Sequence, residues 1–372
     1  MFERLSPYFY SRLAPLVAPL GTQHLIVQAL LDGSSPGTVY VDDIAHPHSA
    51  FITSAEGRFL LGTPTNAPFN IALRHHLERL FAGEREAWEE ELVLTCYPDT
   101  WADVLQTTIL PFRPPFVSQR RYYQHHISKM DDYGISIYPD DSTLSFIDAD
   151  MLARTDLVNH ESILFWINKN YGNADTFLAQ GLGICFVQDQ TIVSWSLTDC
   201  AWGEYCEIGI ETDENYRRQG LATVLTSAMV DHCHMRKWKY IGWHCWESNL
   251  GSIGVAEVVG FHHHATYNAY VSLYDSLMHL AVQGYTALGK SDFATAAHWY
   301  GQVSEMENAP HWAFYQLARC HAMLHNPEAA LVSLRRAVEK GWDDGEHLRN
   351  NPHFAPLHGY QAWNEILALL DG

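Results

Sequence analysis

The chain has 372 residues, of which 23 are basic and 43 acidic, and its formal net charge is −20 at pH 7. Because nucleic-acid binding depends on neutralising phosphates, this charge argues against a nucleic-acid partner and favours a cationic or amine-bearing one. The seven cysteines are dispersed without a C-x-x-C pair, which predicts reduced, buried thiols in a cytoplasmic protein. We find neither a signal-peptide pattern nor an apolar run long enough to span a membrane, so we expect no membrane association.

Residues 1–130 combine helix and strand patterns and form the first predicted domain. Expected helices cover 7–20, 22–31, 70–81 and 101–110, and expected strands cover 38–41, 50–53, 58–61, 92–96 and 116–123. The turn after the third strand contains Pro64 and Pro68, which lack the amide donors that a bound anion would need. We therefore expect no anion site at this turn.

Residues 131–272 repeat this order after a polar, turn-rich connection at 131–141. Expected strands cover 143–147, 183–187, 191–197, 207–212, 240–246 and 261–270, and expected helices cover 149–157, 162–171 and 252–259, with a further helix from Leu221. The fold class is accordingly α+β, with two mixed-sheet halves.

The segment from Glu207 to Ala228 is the centre of this second region. A strand passes through the turn Arg217-Arg218-Gln219-Gly220 into the helix that begins at Leu221. Backbone N–H groups converge at such a turn, and the positive end of the helix dipole faces the same point. Gly220 matters because a Cβ there would hold a phosphate away from the amides. The pattern predicts an anion-binding cradle.

The order of elements around this cradle resembles the GCN5-related N-acetyltransferases, the GNAT superfamily. The resembling features are the Arg-x-x-Gly-x-Ala turn, the strand 240–246, Asn249, a short helix, and Gly260-Phe261 before another strand. The resemblance covers about residues 142–270, and residues 1–130 resemble a degenerate copy without a cradle. The layout is similar to the double-GNAT, zwittermicin-type resistance acetyltransferases.

The resemblance implies acetyl-CoA as cosubstrate. We expect no metal, because the consecutive residues His262, His263 and His264 of a strand point to opposite faces and cannot converge on one ion. The pyrophosphate of acetyl-CoA would lie on the backbone amides of the cradle, and its pantetheine arm would pair with the end of the strand 207–212. The implied cofactor-binding residues are Ile210, Thr212, Arg217, Arg218, Gln219, Gly220, Leu221, Ala222, Thr223 and Asn249.

The resemblance also implies candidate catalytic residues. A carboxylate on the fourth strand relays the amine proton in many members of the family, and Glu207 is the first match here, with Glu211 less favoured. Many members carry a tyrosine that protonates the leaving thiolate, but Ala256 occupies that position. The proton source is left open between Ser252, Tyr267 and water.

Residues 273–372 are predicted to form a helical domain. Expected helices cover 274–288, 293–305, 311–325 and 327–339, with closing helices in the tail, and the second pair echoes the first at an offset of about 34 residues. This spacing resembles tetratricopeptide repeats, which implies a possible protein partner.

The favoured function is transfer of an acetyl group from acetyl-CoA to an amine of a small molecule or peptide. A non-catalytic acyl-CoA sensor and a repeat-based interaction scaffold stay open as alternatives. The strand 261–270 runs directly into a helix. We therefore expect the customary last GNAT strand to be missing or supplied by another segment.

Overall fold

A computed structural model describes residues 1–126 and 143–371. The chain forms two compact units, of which the larger contains 1–85 with 92–271 and the smaller contains 86–91 with the chain from Ser272 onward. The predicted boundary between residues 130 and 131 and the turn-rich connection at 131–141 lie outside the described residues.

The N-terminal half of the larger unit follows the predicted order of elements. Its strands are β1 (Glu3–Arg4), β2 (Gly37–Val41), β3 (Ser49–Ser54), β4 (Gly57–Gly62), β5 (Glu91–Tyr97) and β6 (Phe116–His126). Its helices are α1 (Ala14–Val17), α2 (Leu25–Asp32), α3 (Ala67–Phe81) and α4 (Trp101–Val104), with 3₁₀ turns at Pro7–Leu13 and Ala18–Leu20 and a π-helical turn at Leu105–Ile109. The segment 7–20 is broken into short pieces because Pro7, Pro15 and Pro19 donate no hydrogen bond.

The second half of this unit also follows the predicted order. Its strands are β7 (Thr143–Phe146), β8 (Gly183–Gln188), β9 (Thr191–Trp202), β10 (Tyr205–Thr212), β11 (Tyr240–Trp246) and β12 (His262–Leu273). Its helices are α5 (Ala149–Leu152), α6 (His160–Tyr171), α7 (Ala174–Gln180), α8 (Leu221–Met235) and α9 (Leu250–Val258). The sequence prediction missed α7, which is 7 residues long and too short to give a clear helical period.

The two halves share one mixed sheet and exchange their last strands. Within the described residues the strand order is β1-β2-β3-β4-β5-β12-β6-β11-β10-β9-β8-β7. β6 of the N-terminal half pairs antiparallel with β11, from Tyr240↔His126 to Trp246↔Arg120. On its other edge it pairs antiparallel with β12. The expectation that another segment supplies the last strand of the second half is confirmed, and β6 is that segment.

Apolar side chains fill both sides of this sheet. One buried cluster packs α8 and α9 against the strands of the second half and includes Leu225, Met229 and Trp243. Another packs α1 and α2 against β2, β3 and β4. All seven cysteines are free and buried, as predicted. Among the described helices, none combines the length and the hydropathy that crossing a bilayer requires.

The smaller unit is helical, as predicted. Its helices are α10 (Ser276–Gly289), α11 (Phe293–Ser304), α12 (His311–Met323), α13 (Pro327–Glu339), α14 (Gly345–Asn350) and α15 (Gln361–Leu370). Asp292 caps α11 and Asn326 caps α13, each accepting a hydrogen bond from the third residue of the helix at equivalent turns. The tetratricopeptide resemblance and a protein partner at these helices stay predictions.

Candidate active site

The strands β10 and β11 separate near the middle of the sheet. Their parallel pairing covers Tyr205↔Tyr240, Cys206↔Ile241 and Glu207↔Gly242. From Ile208 to Thr212, β10 keeps its antiparallel pairing with β9 alone. The edge of β10 that faces away from β9 therefore offers N–H and C=O groups to a peptide-like ligand.

The N-terminus of α8 lies beyond the end of β10. Gly220 precedes the helix at φ +81°, and no side chain of the described residues caps the helix. The first intrahelical bond of this turn runs from the Val224 N–H to the Gly220 carbonyl. The preceding amides of the first turn therefore point away from the helix without an internal partner, which suits an anion. Gly220 has open space where a Cβ would stand.

Two side-chain hydrogen bonds hold the loop that leads into α8. Asp213 accepts a hydrogen bond from the Asn159 side-chain amide at 3.0 Å. The Nε of Arg217 donates to the Thr212 carbonyl at 3.1 Å, which holds the guanidinium beside the turn. Arg218 adopts a left-handed conformation with φ 64°. Strained residues of this kind persist where surrounding contacts determine the backbone, often at functional sites.

A groove of about 600 Å³ runs along the open edge of β10 to the start of α8. Its size is that of a small-molecule or cofactor pocket. Every predicted cofactor-binding residue except Gln219 lines it, namely Ile210, Thr212, Arg217, Arg218, Gly220, Leu221, Ala222, Thr223 and Asn249. The structure thus brings these residues together on one surface.

Asn249 has a structural task in addition to lining the groove. Its side-chain oxygen accepts a hydrogen bond from the Ser252 N–H at 3.0 Å and caps α9. Ser252 lines the same groove one turn into that helix. The oxygen of Asn249 is therefore committed to the cap, and its amide nitrogen is the group that would reach a ligand.

A second cavity of about 200 Å³ adjoins the groove and shares Ile210, Asn249 and Ser252 with it. Glu207 lines this cavity and is 3% exposed. Its Oε1 accepts a hydrogen bond from the Leu25 N–H at 3.2 Å, at the start of α2 in the N-terminal half. The positive end of that helix dipole stabilises the negative charge of the carboxylate.

His244 connects Glu207 to Tyr267. The Nε2 of His244 lies 3.4 Å from Glu207 Oε1 and 2.9 Å from the Gln23 carbonyl oxygen. Its Nδ1 lies 2.9 Å from the Tyr267 hydroxyl. Because a carbonyl oxygen can only accept, the neutral ring carries its proton on Nε2, and Nδ1 accepts from Tyr267. His244 therefore lies between the Glu207 carboxylate and the Tyr267 hydroxyl, and its Nε2–H is hydrogen-bonded to the Gln23 carbonyl.

Asp199 enters the same cavity because β9 carries a bulge. Glu207 pairs with Cys200 and Ile208 pairs with Thr198, so Asp199 has no partner residue across the ladder. Its Oδ1 accepts from Trp166 Nε1–H at 2.6 Å. Burial raises the pKa of the Asp199 carboxyl well above its usual value, and the negative charges of Glu56 and Glu207 raise it further.

The N-terminal half contributes an ion pair to the cavity wall. Glu56, from the turn between β3 and β4, has its Oε2 3.5 Å from a terminal nitrogen of Arg120 on β6. Both residues line the cavity. Burial has the largest single effect and raises the pKa of Glu56, but the charges of Arg120, Lys169 and His244 and the hydrogen bond from Arg120 together hold the pKa below its usual value.

Of the predicted proton sources, Ser252 lines both cavities and Tyr267 does not line either of them. The Ser252 Oγ accepts from Trp243 Nε1–H at 3.0 Å, which leaves its own hydroxyl proton available. Burial raises the pKa of Tyr267. Ala256 belongs to the buried cluster beneath α8 and α9. The roles of Glu207, Ser252 and Tyr267 stay predictions.

Comparison with known proteins decides the family. The model of the GNAT acetyltransferase family matches residues 15–270. The chain belongs to the GNAT acetyltransferase family. It is therefore an acyltransferase, as the sequence predicted, and the family match spans both halves of the larger unit.

Similar proteins include other GNAT members. The uncharacterized N-acetyltransferase YdfB of Bacillus subtilis (strain 168) is 25% identical over 247 residues, which are 66% of this chain and 89% of that protein. A GCN5-related N-acetyltransferase-like protein from Streptococcus suis has 21% identity, a TM-score of 0.54, and coverage of 72% of this chain and 98% of its own. A tandem GNAT protein from the clavulanic acid biosynthesis pathway has 12% identity, a TM-score of 0.49, and coverage of 74% and 98%.

Several residues of this GNAT site were missed by sequence reasoning. They share the cavity or contact Glu207 directly, and they come from distant segments: Glu56, Arg120, Trp166, Asp199 and His244. The sequence held one indication for His244, which is a polar residue between Trp243 and Cys245 on the strand 240–246 and must therefore face the opposite side of the sheet from them. The strand that pairs with 240–246 could not be identified from the sequence, so the surroundings of His244 could not be predicted. The others depend on strand exchange and a bulge, which leave no local pattern.

Proposed function

We propose that this acyltransferase moves an acetyl group from acetyl-CoA to the primary amine of a small molecule or peptide. The observation that carries the proposal is the continuity of two cavities. The uncapped N-terminus of α8 opens into the groove, and the groove shares Ile210, Asn249 and Ser252 with the acidic cavity at Glu207. The proposed phosphate site and the proposed amine site would therefore adjoin one another.

The cradle residues fit the polar groups of acetyl-CoA. The free amides of the first turn of α8 would bind the pyrophosphate, and Arg217 and Arg218 would add positive charge. The unpaired edge of β10 would bind the amide groups of the pantetheine arm, as an added strand does. Bound in this way, acetyl-CoA supplies an activated thioester carbonyl.

The residues around the second cavity would handle the protons of the reaction. Glu207 attracts the ammonium group of the acceptor, and its carboxylate takes up the proton that the amine must lose before it attacks. The new C–N bond forms as the C–S bond breaks. Ser252, whose hydroxyl proton is available, would protonate the departing thiolate and recover, through water, the second proton that the nitrogen gives up as it becomes an amide.

The free, buried cysteines support the further proposal that the protein works in the cytoplasm. Acetyl-CoA supplied there would be the acyl donor.

The test is acetyl transfer by the purified full chain. Acetyl-CoA is incubated with a panel of monoamines, diamines, amino acids and short peptides, and released thiol and acetylated product are measured by absorbance and by mass spectrometry. We expect equal amounts of thiol and N-acetyl product from at least one amine. Binding of acetyl-CoA without product from any amine would contradict N-acetylation.

A further inference from the structure

The acidic cavity has more negative charge than its own cations balance. Glu56, Asp199 and Glu207 line it, and Arg120 is its one lining cation in the described part of the chain. Lys169 lies nearby, with its Nζ 5.0 Å from the centre of the Trp166 ring, and its charge acts on Glu56 and Asp199. Three carboxyl groups therefore face two cations, so that one of them needs either a proton or a cation from a ligand.

The carboxyl group without its own cation is that of Asp199. Glu56 is paired with Arg120, and Glu207 contacts the Leu25 N–H and His244. Asp199 is 7% exposed, and its Oδ1 accepts from Trp166. Its Oδ2 has no hydrogen-bond partner among the residues that the structure describes. A buried carboxylate with an open oxygen needs a cation or a proton.

The walls of the cavity suit a short aliphatic cation. Trp166, Trp243 and Trp246 contribute large apolar surfaces, and aromatic faces attract ammonium groups. The volume of about 200 Å³ equals the space of roughly six or seven water molecules at about 30 Å³ each. This is room for a small acceptor.

We propose that the acceptor is a short aliphatic diamine, with one amino group acylated beside Glu207 and the other held as an ammonium by Asp199. This inference rests on the proposed N-acetyltransferase function and names its substrate class. The two amines have different tasks, because the attacking nitrogen must lose its proton while the anchored nitrogen keeps its charge. Asp199 is thus a specificity-determining residue and takes no part in the bond changes.

The test compares amines that differ in the second charge. The wild-type chain is assayed with 1,4-diaminobutane and 1,5-diaminopentane, with 1-butylamine and 1-pentylamine, and with lysine, which adds a carboxylate to the diamine. We expect the diamines to have a KM at least about tenfold lower than the monoamines, as for a hydrogen bond to a charged group. Equal KM values for diamines and monoamines, or a preference for lysine, would overturn the proposal.

The variant Asp199→Asn locates the anchor. The side chain keeps its shape and its acceptor for Trp166, so we expect the KM for diamines to rise about tenfold or more. The KM for monoamines should rise by a clearly smaller factor than the KM for diamines, because a monoamine has no second ammonium group for Asp199 to hold. The control Asp175→Asn removes an exposed carboxylate at the start of α7 and should keep the preference for diamines.

The outcomes separate this inference from the function beneath it. An unchanged affinity of Asp199→Asn for acetyl-CoA shows that the site is folded, and a retained diamine preference in that variant then contradicts the anchor. Acetylation of monoamines at wild-type level without any preference for diamines overturns the diamine proposal and leaves N-acetylation standing. Absence of any acetylated amine, with acetyl-CoA bound, overturns both.

Discussion

The two halves of the larger unit use the same order of elements, yet they differ where the fourth strand meets the following helix. In the N-terminal half, β4 stays paired with β5 through Leu61↔Tyr97, one residue before the strand ends. In the second half, β10 leaves β11 after Glu207, five residues before its end at Thr212. A ligand can enter between strands that separate, so only the second half offers an edge there.

The helix that follows shows the same difference. The Asn66 side chain accepts a hydrogen bond from the Phe69 N–H at 3.3 Å and caps α3. The N-terminus of α8 has no such cap. A Cβ at Gly62 would lie 2.0 Å from the His48 carbonyl oxygen, whereas Gly220 faces open space. The Asn66 cap and two prolines thus occupy the helix start in the N-terminal half, whereas the corresponding turn of the second half lacks them and leaves room for the proposed anion.

The largest expected effect comes from closing the cradle of the second half. Replacing Gly220 with leucine places a side chain over the amides of α8, so we expect acetyl-CoA affinity to fall by at least about 100-fold, measured by isothermal titration. The matched control is Gly172→Leu, since Gly172 has φ +79° and open space as well. Equal affinities in Gly220→Leu and wild type would remove the cradle assignment.

The next largest effect is expected at Glu207, the proposed acceptor of the amine proton. Glu207→Gln keeps the acceptor for the Leu25 N–H but removes the charge, so kcat should fall about 100-fold or more in a thiol-release assay. Glu211, four residues along on the same strand, lines the groove. Its change to glutamine should alter the KM for acetyl-CoA more than kcat. A larger kcat loss from Glu211→Gln would reverse the assignment.

A smaller effect on acetyl-CoA binding distinguishes the Asn66 cap of α3 from the Asn249 cap of α9. Asn66→Ala and Asn249→Ala each remove a helix cap, and each should lower the free energy of unfolding by about 1 kcal/mol in urea titrations. Only Asn249→Ala should weaken acetyl-CoA binding, by about three- to tenfold, because one hydrogen bond to the ligand is lost. Weaker binding in Asn66→Ala would mean that the N-terminal half also contacts acetyl-CoA.

The smallest effect is a pH dependence of stability, and it concerns a contact between the two halves at His24 and His244. His24 of the N-terminal half is 3% exposed and stacks on His244, with ring centroids 5.7 Å apart. Burial, and then the nearby His244 and Arg120, hold the pKa of His24 well below its usual value. Below about pH 6.5 the unfolded chain therefore binds a proton at this residue that the folded chain does not, and stability falls as pH falls.

Replacing His24 with phenylalanine keeps an aromatic ring and removes this proton. Between pH 7 and pH 6 the wild type should lose about 0.7 kcal/mol more than His24→Phe in the free energy of unfolding, measured in urea. An identical pH dependence in the two proteins would show that His24 titrates normally in the folded state.

The sequence predicted the helices and strands well, but it did not predict which distant segments pair with one another. The strand at 240–246 and the helix at 327–339 have the predicted bounds, because period and punctuation are local. The cradle could be predicted for the same reason, since its strand, glycine turn and helix are contiguous. Local sequence patterns determine individual helices and strands, and the cradle is built from such contiguous elements.

The other half of the site depends on long-range pairing. β6 lies between β11 and β12, more than 100 residues away in the chain, and brings Arg120 to the cavity. The bulge that aims Asp199 appears only in the register of β9 with β10. Strand exchange and register arise from tertiary packing, so His244, Glu56 and Asp199 could not be assigned to one site from the sequence.

The most direct test of the account is a crystal structure of the full chain with CoA. The account predicts density for the pyrophosphate at the N-terminus of α8 and for the pantetheine arm along β10 from Ile210 to Thr212, with no CoA at the Asn66 turn before α3. Density at the α3 turn, or CoA bound away from α8, would contradict it.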